Sequence, residues 1–272
     1  MSIITALSNL LHPRSLSEKD YLALVEDGAD KQNIIRKEAQ MKELERILQA
    51  AEKLGVIEDT FILGGLAHDY LRDYRIHGDV DIMFQSYDAY KRIYDLLIQS
   101  GEYRNVNAWF LRGMSMSYLV PLHNRPIGLV ELRYVYRDDK DNPYEKGSVW
   151  KHRLPGWMLA CLGGKTVVIP QIAFSNPEET YTIGNMKVRY LKPEYSYAIK
   201  KTSPYIKDQA DLRLLAQFVN HEIVAEIEMI AKKSGGLLSL PHLFMTLIRS
   251  LGGFSDGIGS AAYARLINGV KG

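Results

Sequence analysis

Two aspartates one residue apart, Asp79 and Asp81, lie in the run DVDIMF, which reads as a β-strand. Strand side chains alternate faces, so Asp79 and Asp81 project together while Val80 and Ile82 point into the core. Two carboxylates on one face of a buried strand repel each other and are costly unless a cation sits between them. Oxygen donors suit a hard ion, and Mg2+ typically bridges protein carboxylates and substrate phosphates. The plainer alternative is a strand start with two solvated aspartates. Gly64-Gly65 weighs against it, because the pair falls between an expected strand, TFILGG, and an expected helix, LAHDYLRDY. Glycines there let backbone amides approach a ligand, and a helix N-terminus favours an anionic phosphate. A third carboxylate is expected from a neighbouring strand. Glu131, in IGLVELRYVY, shares a face with Leu129 and Arg133 by parity, so it either pairs with Arg133 or acts as a ligand.

The elements that must position these groups are legible from periodicity. Residues 17–55 read as helical, with Ile35, Met41, Leu44, Ile47, Leu48, Ala51 and Leu54 at helical spacing and Gly55 as a C-cap. A helix from Asp88 to Gln99 carries Tyr90, Ile93, Tyr94 and Leu97 on one side, and Gly101 closes it. Segments 107–111, 115–120 and 127–136 read as strands, and DDKDNP (138–143) as an exposed turn. Residues 165–190 read as two or three strands interrupted by Pro170, Pro177 and the turn Gly184-Asn185. From Lys192 the pattern becomes helical, with Pro193 in one first turn, Ser203-Pro204 opening a second helix, and a break at Ser234-Gly235-Gly236.

Composition narrows the class of protein. The 272 residues are 46% apolar and 24% charged, ordinary for a globular chain with a real core. A net charge of +2 gives no global attraction to nucleic acid or membrane. The single cysteine, Cys161, excludes an internal disulfide framework and fits a reducing compartment. No stretch reaches the roughly 18 apolar residues of a membrane span, and the first residues do not read as a targeting segment. The expectation is a soluble, cytoplasmic protein. GGKT at 163–166 is set aside as a phosphate loop because Leu159 stands where that pattern requires glycine. The histidines lack metal-ligand spacing.

Gly64-Gly65 followed by His77-Gly78-Asp79-Val80-Asp81-Ile82 resembles the motif of the DNA polymerase β-like nucleotidyltransferase superfamily. The resemblance is closest to the aminoglycoside and lincosamide adenylyltransferases and their toxin-type relatives. KPEYSYAIKKTSPYIKDQADLRLL is similar to the family's helical segment, with Lys200, Lys207, Asp208 and Asp211 at the matching positions. The two matches span residues 44–219. They imply an α+β fold: a nucleotidyltransferase core of mixed sheet flanked by helices over 59–191, an N-terminal helical arm over 1–58 and a C-terminal helical domain over 192–272. The family's third carboxylate is often Asp; here it is Glu131.

The implied activity moves a nucleoside monophosphate, AMP from ATP being the expected case, onto an acceptor hydroxyl. Asp79 and Asp81 would hold two Mg2+ (or Mn2+), and Glu131 would complete one site and help to deprotonate the acceptor. Gly64, Gly65 and His77 would face the nucleotide, and Lys200 or Lys207 would offset triphosphate charge unless they are simply solvated. In the toxin-type relatives a carboxylate of the helical segment activates the acceptor, which would give Asp208 or Asp211 a role. Spacing equally supports capping and helix charge pairs for both. A small antibiotic-like acceptor is expected, with tRNA or protein as the alternative. A non-catalytic nucleotide-binding regulator is the competing class, against which intact Asp79 and Asp81 argue.

Overall fold

The computed structural model describes residues 31–68, 79–105, 116–122, 129–138, 149–152, 167–201 and 206–233. Helix α1 (Lys31–Lys53) buries Leu44, Ile47, Leu48 and Ala51, a stripe at the spacing of one helix face. Gly55 ends it in the left-handed region, at φ +67. The Val56 amide then donates to Ala51 O at 2.8 Å and the Gly55 amide to Glu52 O at 2.9 Å, a Schellman closure. Helix α2 (Tyr87–Gln99) starts at Ser86, whose Oγ accepts from the Ala89 amide at 3.0 Å. It buries Ala89, Tyr90, Ile93 and Leu97.

Among the described residues ten strands form two sheets: β1 (Thr60–Leu63), β2 (Asp79–Phe84), β3 (Tyr103–Asn105), β4 (Met116–Pro121), β5 (Leu129–Tyr134), β6 (Tyr136–Asp138), β7 (Val149–His152), β8 (Val167–Pro170), β9 (Tyr181–Ile183) and β10 (Met186–Tyr190). The larger sheet runs β3-β4-β5-β2-β1-β10-β9 and the smaller β6-β7-β8. The larger one is mixed: β2 is parallel to β5 and β1 to β10, while β1–β2, β3–β4, β4–β5 and β9–β10 are antiparallel. Three helices follow, α3 (Pro193–Lys200), α4 (Ile206–Leu215) and α5 (His221–Lys233). Glu194 of α3 accepts from the Asn220 amide at 3.1 Å, and Asn220 Oδ1 accepts from the Glu222 amide at 2.9 Å, tying α3 to the start of α5.

Strand alternation divides the core in two. Val80, Ile82 and Phe84 of β2, Ile62 of β1 and Val130 and Leu132 of β5 pack with α1 and α2 on one face. Phe61, Leu63 and Met83 turn to the other face and pack with Tyr195, Ala198, Val224 and Ile227 of α3 and α5. Phe61 meets Phe174 edge-to-face at 4.9 Å. Each fully buried large side chain here is worth roughly 1.5–3 kcal/mol of transfer energy. The expected mixed sheet flanked by helices and followed by helices is thus observed, and the described part of the expected N-terminal arm packs on the sheet. The strand expected at 107–111 lies outside the described residues, as do the cap at Ser203-Pro204 and the break at Ser234-Gly236. Of the helix expected after Gly65, the described part is one 3-10 turn, Leu66–His68. The strand β7 and the smaller sheet have no counterpart in the sequence reading.

Candidate functional site

β2 and β5 run parallel with Asp79 level with Leu129 and Asp81 level with Glu131. Odd positions of both strands face α3 and α5, so the pairing sets Asp81 and Glu131 side by side on that face. Asp79 joins them one step toward the strand's N-terminal end. One ligand oxygen from each of Asp79, Asp81 and Glu131 lies within 4.8 Å of the others. Asp81 is 8% exposed and Glu131 5%. Like charges directly opposite across a strand pair are destabilising, more so where water is excluded. Burial holds the Glu131 carboxyl above the usual carboxylate range; Arg133 pulls it down, and Asp79 pushes it up.

Gly64 shapes the site from β1. It sits at φ +69, beyond Leu63, which pairs with Asp81. A Cβ there would fall 2.1 Å from Asp81 Oδ2. Only a residue without a side chain leaves Asp81 its position, and glycine also accepts the left-handed backbone.

Arg133 follows Glu131 on the same face of β5. Its Nε donates to Glu131 Oε1, and a terminal guanidinium nitrogen lies 3.8 Å from Asp81 Oδ1. Tyr195 of α3 is buried close by, and burial pushes its hydroxyl well above its ordinary range, with Arg133 the opposing influence. The site therefore gathers three acids, one permanently charged guanidinium and a neutral phenol.

The other residues singled out in the sequence are distributed differently. Gly65 lies in the turn after Gly64. His77 lies outside the described residues. Lys200, at the end of α3, donates to Asp211 Oδ2 of α4 at 2.6 Å, and Asp211 is 1% exposed. This pair fastens one helix to the next. Lys207 and Asp208 belong to the first turn of α4. Sequence reasoning named Arg133 as a partner for Glu131 but missed its reach to Asp81, which needs the β2–β5 register. Nothing in the sequence marks Tyr195.

Three converging carboxylates, Asp81 and Glu131 buried and Asp79 half-buried, make an oxygen donor set of the kind a hard divalent cation such as Mg2+ or Mn2+ takes. Among the described residues no helix is long and apolar enough to cross a membrane. No family model matches the chain, and no curated protein matches it. Solved structures are similar to it, among them two of ANT(2'')-Ia. One is the solution structure of the antibiotic-resistance factor ANT(2'')-Ia, at 18% identity and a TM-score of 0.47, covering 72% of this chain and 92% of that one. The other is the crystal structure of ANT(2'')-Ia in complex with adenylyl-2''-tobramycin, at 17% identity and a TM-score of 0.44, covering 72% of this chain and 97% of that one.

Proposed function

We propose that the protein is a metal-dependent nucleotidyltransferase that moves AMP from ATP to a hydroxyl of a small antibiotic-like acceptor. The observation that carries this reading is the convergence of Asp79, Asp81 and Glu131 within 4.8 Å on two parallel strands in register. Asp79 and Asp81 would hold the cation, and Glu131 would complete its oxygen shell. When bound, a divalent ion supplies Lewis acidity to the acceptor oxygen and offsets charge on the phosphates. Glu131, with a carboxyl raised by burial, is the best base on this face for the acceptor proton. Gly64, without a side chain, leaves the Asp81 carboxylate its place beside β1. Lys200 is engaged by Asp211, so the reading does not use it for triphosphate. The acceptor class rests on the motif resemblance to the aminoglycoside and lincosamide adenylyltransferases.

The test is incubation with each α-labelled triphosphate and Mg2+ against an antibiotic panel, total RNA and cell protein. Labelled AMP should appear on a small molecule, and Asp79→Ala and Asp81→Ala should each abolish it while the protein stays folded. Transfer to RNA or protein instead would replace the acceptor class. No transfer in any arm, or transfer surviving both substitutions, refutes the reading.

A further inference from the structure

Arg133 stands in an unusual relation to the three carboxylates. Its Nε donates to Glu131 Oε1, one of its terminal nitrogens is 3.8 Å from Asp81 Oδ1, and its side chain is only 26% exposed. A guanidinium does not lose its charge at any ordinary pH, so this cation is permanent. It uses the carboxylate that a metal would also need, and its charge opposes that of an incoming cation. Without it, three acids at this spacing, two of them nearly buried, would have to tolerate their mutual repulsion.

We propose that Arg133 is a resident counter-cation and positioning residue: it holds Glu131 and Asp81 in place before metal binds, and a divalent ion must displace it from Glu131. This rests on reading the triad as a metal site. The resident charge makes the folded protein stable without metal and makes metal binding weaker than three carboxylates alone would give. Displacement also leaves a positive charge at the edge of the site, where the anionic substrate arrives. The carboxylates thus keep their arrangement whether or not the ion is present.

The prediction has a sign that a merely structural residue would not produce. Loss of a structural contact lowers stability and weakens ligand binding together. Loss of a competing cation lowers metal-free stability and tightens metal binding.

The experiment titrates Mn2+ alone into the full chain, following free Mn2+ by electron paramagnetic resonance, with melting measured in EDTA on the same samples. Arg133→Met should bind Mn2+ tighter by on the order of tenfold and melt lower without metal. Arg133→Gln, which keeps a donor for Glu131 but not the charge, should tighten Mn2+ in the same way and serves if Arg133→Met does not fold. Arg133→Lys should return the affinity toward the original value. Asp81→Asn marks the Mn2+ bound at the triad. If Asp81→Asn removes Mn2+ binding but neither neutral variant tightens it, the counter-cation proposal is wrong and the metal site stands. If Asp81→Asn leaves Mn2+ binding unchanged, the metal reading falls and the proposal with it.

Discussion

Gly64→Ala tests the site through its tightest contact. The substitution acts twice. At φ +69 an alanine meets the left-handed penalty, about 1 kcal/mol relative to glycine. Its methyl would also lie 2.1 Å from Asp81 Oδ2, against the roughly 3.5 Å at which such atoms normally rest. The carboxylate must therefore retreat by more than about 1 Å, and it is already enclosed between β1 and β5. Overpacking of this kind costs a further 1–3 kcal/mol or so. A misplacement of about 1 Å at a group that orients reactants costs on the order of a hundredfold in rate. Gly55→Ala is the control: Gly55 has φ +67, but a Cβ there meets nothing within 4 Å. Urea denaturation should give about 1 kcal/mol lost for Gly55→Ala and about 2–4 kcal/mol for Gly64→Ala. Transfer should fall on the order of a hundredfold only in Gly64→Ala. If Gly64→Ala costs no more than Gly55→Ala and keeps its turnover, Gly64 does not fix Asp81 and the site has been misassembled.

Two further outcomes separate structural from catalytic roles. Lys200→Met removes the ammonium 2.6 Å from buried Asp211 and should cost about 3 kcal/mol by urea denaturation, with Lys200→Met/Asp211→Asn recovering most of it. Full stability of the single variant would return Lys200 to the list of phosphate-binding residues. Melting in EDTA between pH 4 and 8 should expose the raised Glu131 carboxyl. With its folded value above the ordinary 4.5, the native chain holds a proton over a window where the unfolded chain has released it. The contribution from Glu131 is then full below 4.5 and declines as pH rises through the folded value. Glu131→Gln should therefore gain stability relative to wild type as pH rises across that window, and a constant difference between the two would contradict the raised carboxyl.

What the sequence disclosed follows from which rules are local. β2 starts at Asp79 and ends at Phe84, the bounds of DVDIMF, because alternation over six residues needs no partner to be read. α1 ends at Gly55 and α3 begins at Pro193, since glycine and proline act on their own backbone. The common face of Asp79 and Asp81 is local in the same sense. Their nearness to Glu131 is not: it depends on β2 and β5 pairing in one register, and a slip of a single residue would send Glu131 to the α1–α2 side. For the same reason the sequence left Glu131 open between partner and ligand. The structure pairs it with Arg133 and also sets it beside the two aspartates. For Lys200 and Asp211 the resemblance implies phosphate and acceptor roles while spacing leaves a solvated lysine and helix charge pairs open, and neither reveals that the two side chains meet across α3 and α4.

One face of the sheet holds both the acids and the second core, and the boundary between them is a single alternation step. On β2 the odd positions read Asp79, Asp81, Met83; on β5 they read Leu129, Glu131 and Arg133, with Val135 just beyond the strand. Met83 is 1% exposed and Val135 wholly buried, both packed in the core that α3 and α5 cover. Two residues along from Asp81 and four along from Glu131, then, the backbone is clamped by apolar packing that tolerates little displacement. That clamp is what allows carboxylates to be held together against their repulsion, because strand and register cannot relax to separate them. A free loop carrying the same three acids would spread until the repulsion vanished. Here the remaining relief must come from positive charge, and Arg133 supplies it from the same strand as Glu131. The described C-terminal helices therefore matter to the proposed site: by burying Met83 and Val135 they hold the two strands in place against the repulsion among the acids, the arrangement the metal reading needs.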